Sequence, residues 1–386
     1  MIFHRGGKYW YQVIVVMAGV ALLAAGAARS ADSPVKAAKN IAAPRPTEAD
    51  PGEWKKVVEA AKKEGKLVMS GDPSQVWRKS LIDLFREEYP EITIEYTGIQ
   101  GRDFWPRVRQ ERQMGQQLWD VAARGCEPQA YDAKKAGFFA PLRPLLLPEN
   151  GDDSKWIGGL DGLFNDKENK FMAGYTMYIQ RTTSVNRDFI KEGDLKSPAQ
   201  LLDPKFRGKI VIQTPTGGAS FQALGNLAFM YGENFVRDLL TQQNVVVTDD
   251  KRQQAEWVVR GRYPIAVGFN DTQLIPFVKQ GLGKNVTELE DKIIPVAVGL
   301  GGIFLFKDAP HPNAAKVYAN WLLSKNTQLK ISKNVLLNSR RTDVPPVVKE
   351  QAVDPARMGN YRFYNTEENA EISGRLLPMI KEVLRK

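Results

Sequence analysis

One cysteine and two histidines, Cys126, His4 and His311, are all that the 386 residues contain of the side chains that most often hold metals or drive nucleophilic catalysis. A lone cysteine excludes an intramolecular disulfide. With His4 in the leading segment, no Cys/His metal cluster and no histidine-centred triad can be assembled from the remainder. His311 lies between two prolines and reads as a solvated turn residue. Clustered charge is also scarce. The formal charge is +10, but Arg5, Lys8 and Arg29 fall in the first 31 residues, which hold no acid, so the rest carries +7. Its basic runs are only pairs such as Lys55-Lys56, Lys62-Lys63 and Arg340-Arg341, not the dense, aromatic-interleaved patch that nucleic acid requires. No membrane-length run opens the chain either: Val13 to Ala25 is about 13 residues, against roughly 20 needed to span a bilayer.

What the opening does contain is Arg5 and Lys8, the apolar stretch, and small residues in Ala25-Gly26-Ala27 and Ala28-Arg29-Ser30, the three-part layout of a cleavable secretory signal peptide over residues 1–31. Residues 32–51, rich in Ala, Pro and charge, read as a flexible linker. With 43% hydrophobic and 25% charged residues, the chain suits a soluble protein of two ordinary lobes.

The clearest stretch is Ile303 to Ser332. Ile303 to Phe306 is a short apolar run suited to a covered strand, and Pro310 and Pro312 end it. Asn313 is a good N-cap for a helix with Ala314, Val317, Tyr318, Trp321 and Leu322 on one face and Lys325 at its far end. Upstream, helix Glu53–Lys63, strand Leu67–Ser70, helix Val76–Tyr89, strand Ile92–Thr97, helix Asp103–Met114 and strand Leu118–Ala122 alternate. Such alternation predicts a doubly wound, mostly parallel sheet with ligand outside the carboxyl ends of its strands.

HPNAAKVYANWLLSKNTQ, together with EWKKVVEAAKKEGKLVMSG, FREEYPEITIEY, RVRQERQMGQQLWDV and PKFRGKIVI, resembles the extracellular solute-binding proteins of ABC importers, in the branch that includes the ferric-ion binders. The resemblance implies an α/β fold of the type 2 periplasmic-binding kind, with two lobes of mostly parallel sheet joined by two crossover strands. It divides the chain into residues 52–175 with about 300–345 as lobe 1 and 176–299 as lobe 2, leaving 346–386 as a helical tail packed on one lobe. Phe171 to Asn186 would be the first crossing and Val296 to Gly302 the second. It implies a periplasmic, non-enzymatic protein with a small-molecule ligand and ABC permease subunits as partners; a monomer with no nucleic acid, no metal and no cofactor is expected, with ferric iron kept as an alternative solute.

The candidate ligand-binding residues fall in four places. Gly71 to Ser74, with Asp72 and Ser74, is an exposed turn at a helix start. Thr214 to Phe221, with Thr216, Gly217, Gly218 and Ser220, offers hydroxyls and free amides at another; it lacks a Walker lysine. Tyr175 and Tyr178 point to opposite faces of a strand, so one can face the cleft. Asp271 and Thr272 stand where ferric-ion binders of the family carry paired tyrosines, which argues against iron, and Arg340 or Arg341 lies in a late loop that can approach the cleft. The helix starts with Arg341 suit a small oxyanion, the favoured solute; Asp271 with a tyrosine suits a polyamine or thiamine-like cation. A secreted enzyme using Asp72 and Asp271, and a sensory receptor of the same fold, are the rival functions.

Overall fold

A computed structural model describes residues 51–269, 273–290 and 293–385. The expected signal peptide, the linker up to residue 50, Asp271 and Thr272 lie outside the described residues. In the first lobe the strand Lys66–Gly71 lies between Thr93–Gly98 and Val121–Ala123 and runs parallel to both. Gly302–Phe306 then enters antiparallel beside Val121–Ala123, with Phe139–Ala140 and Met172–Gly174 also antiparallel to it. The sheet is therefore mixed. Its parallel part comes from the strand–helix alternation at the front of the chain, and its antiparallel part from chain passing to and from the other lobe.

Helix Pro312–Leu323 is the core of this lobe: Ala314, Val317, Tyr318 and Leu322 are fully buried, and Phe85 meets Tyr318 and Trp321 with ring centroids 5.0 Å apart. Its start corrects the expected Asn313 cap. The helix begins at Pro312, and Glu64, at the end of helix Pro51–Glu64, accepts from the amides of Asn313 (3.2 Å) and Ala314 (2.7 Å). A carboxylate brought by the fold answers amides that sequence assigns to a local cap. The helix ends at Leu323, just short of the expected Lys325. Ser324 is extended (φ −67°, ψ 151°), and its hydroxyl accepts from the Thr327 amide to start a second helix, Lys325–Val335. His311 is not merely solvated: its ring lies 2.8 Å from the buried Asp120 carboxylate.

The second lobe has five strands in the order Val286–Glu288, Thr183–Asn186, Ile265–Val267, Ile210–Gln213, Val246–Thr248. The last three run parallel, and the first two pairings are antiparallel. Helices Gly218–Tyr231, Glu233–Gln242 and Lys251–Val259 cover it. Between the lobes lies a four-stranded sheet, Asn338–Ser339, Thr176–Ile179, Ile294–Ala297, Tyr361–Phe363. Phe171 to Asn186 is consequently three strands in three sheets, not one: Met172–Gly174 in the first lobe, Thr176–Ile179 between the lobes and Thr183–Asn186 in the second. The return passage turns at Val298 to Gly301, where Gly299 takes φ +62°.

The C-terminal helix, Glu367–Leu384, touches helix Pro128–Lys135 of the first lobe and helices Gly218–Tyr231 and Glu233–Gln242 of the second. The tail was expected on one lobe. Its apolar stripe does face one lobe, but the charged side of its first turns meets the other.

Candidate functional site

A cavity of about 400 Å3 opens where both lobes, the middle sheet and the C-terminal helix meet. That volume is ordinary for a small-molecule site. Its first wall is Gly125 to Pro128, the turn that leaves Val121–Ala123 and starts helix Pro128–Lys135. Gly218, Phe221 and Gln222 of helix Gly218–Tyr231 form the opposite wall, Tyr178, Gln180 and Gly299 come from the crossings, and Thr366, Asn369 and Ser373 close the third side. Three helix N-termini thus face one space. At two of them, Glu127 and Gly217, no side chain caps the helix, but Pro128 has no N–H and the Ala130 amide donates to the Glu127 carbonyl (2.9 Å), so the start at Gly217 is the one whose amides are open to solvent or solute.

The first-lobe wall is backed by a compact charged cluster. Arg124 is buried over the Phe104 ring (4.8 Å) and donates to Ser70 Oγ (3.2 Å) and the Ile99 carbonyl (3.1 Å). Glu127 accepts from Trp105 Nε1 (2.8 Å) and lies 3.5 Å from the Arg124 guanidinium. Gly101 is required beside it, because a Cβ there would overlap the Glu127 carboxylate. Gly125 is likewise constrained, its absent Cβ falling 2.7 Å from the Gly299 carbonyl, so the turn sits directly against the second crossing.

Burial raises the Glu127 carboxyl above its ordinary value of 4.5, and Arg124 only partly offsets this. A carboxyl whose folded value is raised binds its proton more tightly in the folded than in the unfolded protein. Its stabilising contribution is complete below the unfolded value and is lost as pH rises through the folded one. Glu127→Gln is therefore expected to flatten the fall in stability as pH rises above about 4.5. The check is melting temperature against pH for both proteins; parallel curves would show that Glu127 does not titrate this way.

Neutral polar groups line the other walls. Gln180 Nε2 donates to Gln222 Oε1 (2.8 Å), and Asn226 Nδ2 donates to Gln180 Oε1 (3.4 Å). Asn369 Nδ2 donates to the Tyr364 carbonyl (2.6 Å), while its buried Oδ1 has no protein partner among the described residues. Tyr364, bonded to Ser373, is pushed up to about 12 by burial, so its phenol is neutral. Among the described lining residues Glu127 is the one charged group, and Arg124 answers it.

The expected site residues separate clearly. Gly218 lines the cavity, with Thr216 and Gly217 exposed beside it and Ser220 buried behind. Asp72 and Ser74 lie next to the Arg124 cluster rather than on the cavity wall: the Asp72 carboxylate accepts from the Ser74 amide (2.9 Å), and its carbonyl accepts from Tyr96 (2.6 Å). Tyr175 is fully buried in the first-lobe core, in the break between Met172–Gly174 and Thr176–Ile179, whereas Tyr178 faces the cavity, so the two differ because the chain changes sheets between them and not because one strand alternates. Arg341 is buried away from the cavity, four of its five N–H groups donating to Asp343 (2.9 and 3.1 Å), Asn150 (3.0 Å) and the Leu323 carbonyl (2.9 Å) and its Nη2 lying 3.7 Å from Glu149. Its neighbour Arg340 stacks on Phe363 (3.9 Å) and forms no ion pair among the described residues. Glu127, Gln180, Gln222 and Asn369 went unnoticed in the sequence. Only Glu127 carried a signal there, standing after a strand and before Pro128 at a carboxyl edge.

Two lobes on a shared middle sheet, with a polar cavity between them, define a hinged protein that captures a small solute. The chain belongs to the bacterial extracellular solute-binding protein family, whose sequence profile matches residues 70–329. It is the solute-binding component of an ABC importer, and its partners are a small-molecule ligand and a membrane permease. An uncharacterized protein of Haemophilus influenzae is 24% identical over 274 residues, 70% of this chain and 76% of that protein. The fold is shared with Trichodesmium IdiA (FutA), solved with iron and citrate, at a TM-score of 0.61 and 16% identity over 83% of this chain and 100% of that one. It is also shared with AfuA of Actinobacillus pleuropneumoniae, solved with fructose-6-phosphate, at a TM-score of 0.53 and 19% identity over 83% and 99% of the two chains.

Proposed function

We propose that the solute is a small oxyanion-bearing molecule, such as a phosphate ester or a carboxylate, held in the cavity between the lobes. The observation that carries this reading is the convergence of three helix starts on a cavity whose one charged lining group, Glu127, is paired with Arg124. The amides at the Gly218 helix start would grip the anion, and Gln180, Gln222 and Asn369 would bond the rest of the molecule. Among proteins of this fold, one holds fructose-6-phosphate and another citrate with iron, both bearing oxyanions. The protein binds its solute and releases it unchanged, as a monomer without nucleic acid, and residues 1–31 serve as a cleaved export signal.

The test is a thermal-shift screen against sugar phosphates, phosphonates, organic acids, polyamines, thiamine and ferric iron. A solute well above its dissociation constant stabilises the folded protein by mass action, by about 2.7 kcal/mol at a hundredfold excess, and so raises the melting temperature. A shift with one oxyanion class, and recovery of that compound unaltered, is the expected result. A shift confined to cations or ferric iron would overturn the reading, and turnover would overturn the non-enzymatic part of it.

A further inference from the structure

The C-terminal helix, Glu367–Leu384, joins the lobes by two unlike kinds of contact. Its second half is part of the second-lobe core: Leu376 and Ile380 are fully buried with Leu224, Leu227, Val236 and Leu239, and Arg375 pairs with Glu233 at 2.8 Å. Its first turns meet the other lobe through charge. Lys134 holds Glu367 at 2.6 Å and also pairs with Glu168, while Glu371 is held by Lys167 at 2.9 Å and by Lys135 at 3.4 Å. Asn365, just ahead of the helix, is tied at the middle of the molecule, its Oδ1 accepting from the Val298 amide at 2.7 Å. The Glu367 amide donates to the Asn165 carbonyl at 2.9 Å.

These contacts differ in what they resist. Pulling the buried stripe out of the second lobe exposes apolar surface, whereas the Glu371 pairs lie at the surface, contribute little each and are screened by salt. The Lys134–Glu367 pair is buried and the Asn365 carbonyl accepts from Tyr131 and Asn165, so the helix start stays with the first lobe as the pivot, and the surface pairs of Glu371 are the contacts that yield when the lobes part. We propose that the C-terminal helix is an electrostatic latch, its buried stripe travelling with the second lobe and its Glu371 holding the first through Lys135 and Lys167. Because Thr366, Asn369 and Ser373 line the cavity, release of the latch also moves a wall of the site.

The inference rests on the hinged, two-lobed reading but not on the identity of the solute, and it is tested without solute. Spin labels at Lys79→Cys and Lys196→Cys, exposed positions on the first and second lobes, report the interlobe distance distribution; Cys126 is buried. Glu371→Gln, in an otherwise wild-type chain, is expected to raise the separated population about fivefold. Raising salt from about 20 mM to about 500 mM should do the same without any substitution, which guards against a folding artefact. Arg375→Gln, which loses a pair within the second-lobe side, should leave the distribution unchanged. If neither Glu371→Gln nor salt moves the distribution, or if Arg375→Gln moves it equally, the latch is overturned. A failed solute screen would leave this result untouched.

Discussion

A Leu376→Ala variant is expected to lose about 3 kcal/mol of stability, as large a loss as a truncation in the middle of a domain produces. The residue lies 10 positions before Lys386, near a terminus, where fraying is the ordinary expectation. Its side chain is nonetheless fully buried, enclosed by two helices that belong to the second lobe. Removing three carbons there leaves a cavity that Leu224 and Val236 cannot close without moving their own helices. Leu384, one turn beyond Ile380 on the same stripe, is 37% exposed, and Leu384→Ala should cost under about 0.5 kcal/mol. Urea unfolding followed by far-ultraviolet circular dichroism separates the two. A loss below about 1 kcal/mol for Leu376→Ala would mean that the tail is an appendage after all.

That contrast also marks how far the sequence could be read. The spacing of Leu376 and Ile380 reveals an amphipathic helix, but a stripe does not say which lobe it will meet, or that the opposite face will meet the other lobe through Lys134 and Lys167. Local patterns were sound where one element answers to one sheet. Lys66–Gly71 and Pro312–Leu323 lie where the apolar runs place them, because each is covered by its own lobe. Patterns misled where the chain changes partners. Phe171 to Asn186 is rich in apolar and β-branched residues, and although Gln180 and Arg181 mark the break after Ile179, they do not show that the pieces on either side join three different sheets. The cavity was legible at Gly218, where glycines mark a turn into a helix, and at Tyr178, one of two tyrosines of which one could face the cleft. Arg340 and Arg341 show why charge alone was a poor guide: adjacent in sequence, one is bound to Asp343 and the other to neutral groups. Asn369 joins the site only through a helix that arrives from the end of the chain.

The helix start at Gly217 and Gly218 yields the prediction with the largest effect on binding. Gly217 is extended (φ −175°, ψ −179°), a conformation any residue adopts, and a Cβ there would meet nothing within 4 Å. Gly218 is different: with φ +62° it tolerates a side chain poorly. Gly217→Asp therefore places a carboxylate at the N-cap without strain, where it can accept from the amides two and three residues on and lie against the positive end of the helix. The protein should be as stable as before or slightly more so. Its affinity for an oxyanion solute should nevertheless fall about a hundredfold, about 2.7 kcal/mol, since the amides are occupied and the carboxylate repels the solute. Gly217→Asn separates these causes, because it occupies the amides without adding charge and should cost only about tenfold. Calorimetric titration with the compound that gives the strongest thermal shift measures both. Stronger binding to Gly217→Asp than to wild type would identify a cationic solute, and the Arg124–Glu127 corner would then have to supply the negative charge by letting its ion pair part.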